Sequence, residues 1–143
     1  MTKGAILCLD PGKARVGVAV AELDVGLAMP APPLPGADAK RLLILIKELA
    51  AEREATRILV GLPLELDGTR GPAAKKALAF ATDVANATGL EVELVDERLS
   101  TVEASRRLDE AGRKKGRGRT QHIDGAAAAV LLQAWLDRQA RVR

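Results

Sequence analysis

The sequence predicts an α/β domain: a five-stranded mixed sheet with helices on both faces. Short β-branched apolar runs bounded by turn signals supply the strands, and longer segments with apolar residues at helical spacing supply the helices. The links between them set the pairing. The first three strands are joined tightly enough to be antiparallel, whereas the later ones arrive through crossover helices and are expected to be parallel.

In chain order, residues 4–10 (GAILCLD) form an apolar run ended by the turn signal Asp10-Pro11-Gly12, and RVGVAVAE from Arg15 places Val at alternate positions, predicting a hairpin. The stretch 26–36 (GLAMPAPPLPG) begins as a third strand, but Pro30, Pro32, Pro33 and Pro35 exclude a central position. An edge strand running into a loop is expected there. Asp38 is placed to cap a helix whose Leu42, Leu45, Ile46 and Leu49 recur at helical spacing to about Arg53. RILVG, from Arg57 to Gly61, is the next strand, and LPLELDGTRG after it has the Pro and Gly content of a loop. Pro72 suits the first position of a second helix, which Gly89 stops after Thr88. EVELVD alternates as the last strand. Ser100 and Glu103 form a capping box for a third helix ending at Gly112, and a basic loop at 112–119 follows. The final helix, from about Gln121 to Gln139, is alanine-rich with Val130, Leu131, Trp135 and Leu136 as its apolar face.

At 143 residues, 48% apolar and 29% charged, the chain suffices for one domain spanning 1–143 and is too short for two sizeable ones. Such a domain buries roughly two-thirds of its extended-chain surface and needs neither disulfide nor structural metal to fold. No apolar run approaches the roughly 20 residues that cross a bilayer, so no membrane association is expected. The single Cys8 lies in an apolar run as a small buried hydrophobe, which with the lack of a signal-peptide pattern suggests the cytoplasm. One His and one Cys exclude the usual zinc patterns. His122 reads as a local polar contact at a helix start. GxxxxGK[ST], GxGxxG and GxSxG are all missing, which removes the standard nucleotide and serine-hydrolase warrants.

The net charge of +3 conceals an uneven layout. GRKKGRGR at 112–119 carries five positive charges, and the tail 138–143 adds Arg138, Arg141 and Arg143. Without these eight, 14 basic residues face 19 acidic ones, so an acidic body carries two basic segments, as expected of a protein that meets a polyanion through defined patches. Phe80 and Trp135 are the only aromatics, which argues against base-stacking platforms. Recognition should rest on phosphate charge and shape, with Arg15, Arg98, Lys114 and Lys115 as candidate contacts.

In open α/β sheets ligands gather at the C-terminal ends of the strands, which makes strand-end acids the informative ones. Asp10 closes the first strand and Glu97 follows the last, its side chain long enough to reach over an intervening strand about 5 Å away. Asp124 lies early in the final helix among Ile123 and small alanines. Two or three converging carboxylates stay ionised around Mg²⁺ or Mn²⁺ and supply hard oxygen ligands. Such a centre activates water for in-line attack on a phosphodiester. Each acid also has a plainer role: Asp10 in an Asx-turn, Glu97 paired with Arg98 at the surface, Asp124 in a helix's first turn.

Four ordered motifs, LDPGKARVGVAV at 9–20, VGLPLELDGTRG at 60–71, VDERLST at 95–101 and HIDGAAAAVLLQAWLD at 122–137, resemble the YqgF family of pre-16S ribosomal RNA nucleases, also described as Holliday junction resolvase-like. The resemblance spans nearly the whole chain. It implies a ribonuclease H-like fold and maps the family's acidic site onto Asp10, Glu97 and Asp124 as catalytic metal ligands. Gly12, Arg15 and Gly17 match its first motif, Gly61, Pro63, Asp67 and Gly68 its second, and Arg98, Ser100 and Thr101 its third, which adds Ser100 to the substrate-binding candidates. The second motif departs from the family's NMDG by reading LELDG, and Leu66 in that loop is expected to alter how RNA or DNA is held.

The implied activity is a Mg²⁺- or Mn²⁺-dependent nuclease maturing the 5′ end of 16S ribosomal RNA, acting on the precursor or on a pre-ribosomal particle. A junction-specific endonuclease cutting branched DNA as a dimer is one alternative, and a non-catalytic ribosomal-RNA-binding assembly factor is another. Monomer and homodimer both remain open. An actin-like or sugar-kinase ATPase shares the core but closes two such domains around ATP, and this chain supplies one.

Overall fold

The computed structural model describes residues 3–99 and 120–142. Five strands form one sheet in the order β3-β2-β1-β4-β5. β1 (Ala5–Pro11) and β2 (Arg15–Glu22) make the expected hairpin, with Asp10 opposite Gly17 and the Gly12 N–H donating to the Arg15 carbonyl at 2.9 Å across the turn. β3 (Met29–Pro35) pairs antiparallel to β2 at one edge. β4 (Ala55–Leu62) lies parallel to β1, and β5 (Glu91–Asp96) parallel to β4. Helices α1 (Ala39–Glu52) and α2 (Pro72–Thr88) form the crossovers, and α3 (Thr120–Val142) covers the opposite face. The mixed five-stranded sheet flanked on both faces is as the sequence predicts.

Two expectations need correction. The proline-rich segment is strand through Pro35 rather than a loop: among the described residues β3 has a single neighbour, so its four missing N–H groups cost few ladder bonds and leave its other edge poor in donors. The last helix runs to Val142, three residues past the expected end, and takes Arg138 and Arg141 of the basic tail into regular helix. The expected third helix and the basic loop 112–119 lie outside the described residues.

Strand alternation sorts the core. Ala5, Leu7, Leu9, Val16, Val18, Val20, Ile58 and Val60 face α1 and α2, where Leu42, Ile46, Ala81 and Val84 meet them. Ile6, Cys8, Ala19, Ala21, Leu59 and Val95 face α3 and its Ala127, Ala128, Leu131, Leu132 and Trp135. Alanine and glycine bring α3 close: a Cβ on Gly125 would stand 3.0 Å from Pro30 Cβ and 3.3 Å from the Ala31 carbonyl oxygen. At the far end, Trp135 Nε1 donates to Glu93 Oε2 at 2.9 Å, while Arg57 lies 5.9 Å from the centre of the indole and pairs with Glu91 (2.9 Å) and Glu93 (3.1 Å).

Asp38 caps α1 as expected, its Oδ1 accepting from the Arg41 N–H at 3.1 Å. Asp38→Ala is expected to lower stability by about 1 kcal/mol, read as a lower urea midpoint with an unchanged slope.

Candidate active site

Leu9 pairs with Val60, so the next residues, Asp10 and Gly61, stand side by side at the C-terminal ends of β1 and β4. Their side chains belong to the face of Cys8 and Leu59, the one covered by α3. β5 then leads into a single 3₁₀ turn, Glu97–Leu99, which brings Glu97 back over the same end of the sheet. Asp10 and Glu97 are 5% and 4% exposed, and among the described residues they are the buried acids.

Gly61 measures how closely the two carboxylates converge. A Cβ built there would lie 3.3 Å from Asp10 Oδ1, 3.5 Å from Glu97 Cδ and 3.0 Å from Leu131 Cδ1. The middle strand thus carries no side chain where the acids of its two neighbours approach, and on β2 the residue opposite Asp10 is Gly17. Neither glycine was marked by a turn signal; their role arises from cross-strand register.

Cys8 forms the floor. Burial raises its thiol well above the usual value, and the negative charges of Asp10 and then Glu97 raise it further. The thiol therefore stays protonated beneath the carboxylates and offers no competing soft anion.

The rim of the site is the β4–α2 loop. Asp67 accepts from the Thr69 N–H at 2.9 Å and the Thr69 hydroxyl at 2.7 Å, and these bonds hold its carboxyl below the usual value. Gly68, at φ +90°, takes the left-handed corner that closes the turn. Leu66 is 78% exposed at the tip.

The predicted contacts differ in surroundings. Arg15 opens β2 two residues before Gly17, on the Asp10 face and at the Asp10 end. Arg98 is engaged internally: its guanidinium grips Asp96 at 2.8 Å through Nη2 and 3.2 Å through Nε, and Nη1 donates to the Leu66 carbonyl at 3.3 Å. This pairing holds the Asp96 carboxyl below its usual value. Asp124 belongs to α3, directly before Gly125, but its side chain lies outside the described residues, as do Ser100, Lys114 and Lys115. Among the described residues no third His, Cys, Asp or Glu joins the pair, and no helix is long and apolar enough to cross a membrane.

Comparison with known proteins gives matches along nearly the whole chain. Positions 4–138 match the family RuvX, described as Holliday junction resolvase. A protein of Anaeromyxobacter dehalogenans named "Putative pre-16S rRNA nuclease" is 44% identical over 134 residues, 94% of this chain and 97% of that one. A Chloroflexus aurantiacus protein of the same name is 38% identical over 137 residues, 96% and 89% of the two chains. Among solved structures, Thermus thermophilus RuvC in complex with Holliday junction substrate superposes with a TM-score of 0.58 at 13% identity, covering 96% of both chains. At that identity the likeness concerns the fold, which is ribonuclease H-like.

Proposed function

This chain belongs to the RuvX family, and from that membership we propose that it is a divalent-metal-dependent nuclease that trims the 5′ end of 16S ribosomal RNA from its precursor. The observation that carries the proposal is the cradle above Gly61, where two buried carboxylates converge over a residue that has no side chain of its own. Relatives of nearly the same length bear the name "Putative pre-16S rRNA nuclease". Precursor RNA, free or in a pre-ribosomal particle, is the partner, and the cytoplasm the place of action.

The donor set fits Mg²⁺ or Mn²⁺. Carboxylate oxygens are the hard ligands these ions take, and a buried pair of like charges is best kept ionised by a cation. Asp10, Glu97 and Asp124 would hold the metal, and when bound it activates water and neutralises charge developing on phosphorus. The protein's own residues do the rest. Leu131 and the protonated Cys8 keep the floor dry and neutral, so the carboxylates act in a low-dielectric setting. Arg15, Ser100, Lys114 and Lys115 bind and orient the phosphate backbone, with Arg15 at the Asp10 end of the sheet.

The test incubates the purified protein with precursor 16S RNA, a four-way DNA junction and linear controls, in Mg²⁺, Mn²⁺ or chelator. Cleavage of the precursor that chelator abolishes is expected. Preferred cutting of the junction would assign the chain to branched DNA instead, and tight RNA binding without cleavage would make it an assembly factor. With three cationic phosphate contacts, Arg15, Lys114 and Lys115, affinity for the precursor should fall by about 20-fold between ~50 and ~200 mM salt. An unchanged dissociation constant would remove the basic residues from the contact surface.

A further inference from the structure

The sequence places Arg98 among the phosphate contacts, yet its hydrogen bonds turn inward. Asp96 Oδ1 accepts from the Arg98 backbone N–H at 2.9 Å, and both Asp96 oxygens accept from the Arg98 guanidinium. Residues 96 and 98 are thereby locked to each other around the residue between them, which is Glu97. An i to i+2 closure of this kind fixes the backbone of the middle residue, as in an Asx-turn. With its two neighbours clasped together, Glu97 points into the sheet and is 4% exposed.

The remaining arm of Arg98 reaches the β4–α2 loop. Nη1 donates to the Leu66 carbonyl, and the guanidinium passes so close to Gly68 that a Cβ there would stand 3.5 Å from Nη1 and 3.7 Å from Nη2. The clasp lies at the surface, the side chains being 32% exposed for Arg98 and 18% for Asp96, and its strength comes from several bonds made at once. A fork-like, multiply bonded arginine of this kind is fixed in direction, and its charge is already answered by a carboxylate.

We propose that Arg98 is a positioning residue: through Asp96 it sets the direction of Glu97, and through the Leu66 carbonyl it docks the β4–α2 loop beside the carboxylates. It links a strand-end acid to the rim of the site and does not serve as a phosphate ligand. The activity arm of its test rests on the nuclease function proposed above; the structural arm does not.

Arg98→Ala, Arg98→Lys, the near-isosteric Asp96→Asn and the double variant Asp96→Asn/Arg98→Ala separate the two roles in the full-length protein. Arg70 lies exposed in the docked loop, so trypsin cleavage after it, identified by mass spectrometry, reports undocking. Arg98→Ala and Asp96→Asn should each speed that cut by about fivefold or more. On precursor RNA each should lower kcat by about tenfold with KM changed by less than about twofold, and the double variant should be no worse than the worse single one. Lysine restores little, because an ammonium cannot make the fork. A phosphate ligand behaves otherwise: Arg98→Ala would raise KM at constant kcat and reduce the salt slope by about one contact's worth, and Asp96→Asn would tighten binding. Either result overturns the proposal. If the wild type cleaves no RNA, the nuclease function fails by itself, and the trypsin comparison still decides: equal cutting after Arg70 in wild type and both single variants overturns the clasp.

Discussion

Asp10→Asn is expected to lower precursor cleavage by on the order of 10³-fold while leaving the folded chain intact. The side chain is 5% exposed at the end of a central strand, and the change removes a charge without altering volume. A cation held against the transition state supplies several kcal/mol, and each ~1.4 kcal/mol lost is a factor of ten in rate. Thermal unfolding gives an independent readout. Mn²⁺ should raise the melting temperature of the wild type, because a ligand that binds only the folded state stabilises it, and should raise that of the variant little or not at all. Near-wild-type cleavage by a variant of native circular dichroism would remove Asp10 from the chemistry, and an undiminished Mn²⁺ shift would remove it from the metal site.

The second large effect falls on a residue with no functional group. Gly61→Ala adds one methyl group at a position 3.3 Å from Asp10 Oδ1 and 3.0 Å from Leu131 Cδ1. Leu131 has to shift by a few tenths of an ångström, and the space between the carboxylates narrows. Activity should fall by about 10- to 100-fold, in keeping with what a misplacement of about 1 Å does to an aligned site, at a stability cost of only about 1 kcal/mol. Gly61→Val adds bulk that the packed α3 face cannot absorb and should cost about 2–3 kcal/mol as well as the activity. Parallel measurement of urea midpoints and cleavage rates checks both. An alanine variant as active as wild type would show that the gap above Gly61 is not used.

The carboxylates and the sheet were legible because their signals are local. Asp10 announces itself by the turn after it, Glu97 by ending an alternating run, and both acids lie where strand-end logic puts them. Gly61 was not legible in that sense: its meaning depends on which residue lies opposite on β1 and which acid returns from β5, and register across parallel strands leaves no mark in a window of sequence. The prolines of β3 misled for a related reason, since a missing N–H matters only where a partner strand would use it. Arg98 shows a third kind of feature hidden from sequence, its bonds to Asp96 and the Leu66 carbonyl. A basic residue beside an acidic site suggests phosphate, but whether a guanidinium faces outward or clasps its own strand depends on side-chain direction, and that required coordinates.

The fastening of α3 has a mechanical consequence. Trp135 and Glu93 hold the helix at one end of the sheet, and Gly125 lets it settle against Pro30 and Ala31 at the other. The stretch from Trp135 back to Asp124 is a rigid lever about 16 Å long. A tilt of about 4° about the tryptophan would sweep the tip through about 1 Å, enough to disturb an aligned site. Loss of the indole–carboxylate bond would therefore be felt at the far end of the helix, where Asp124 lies.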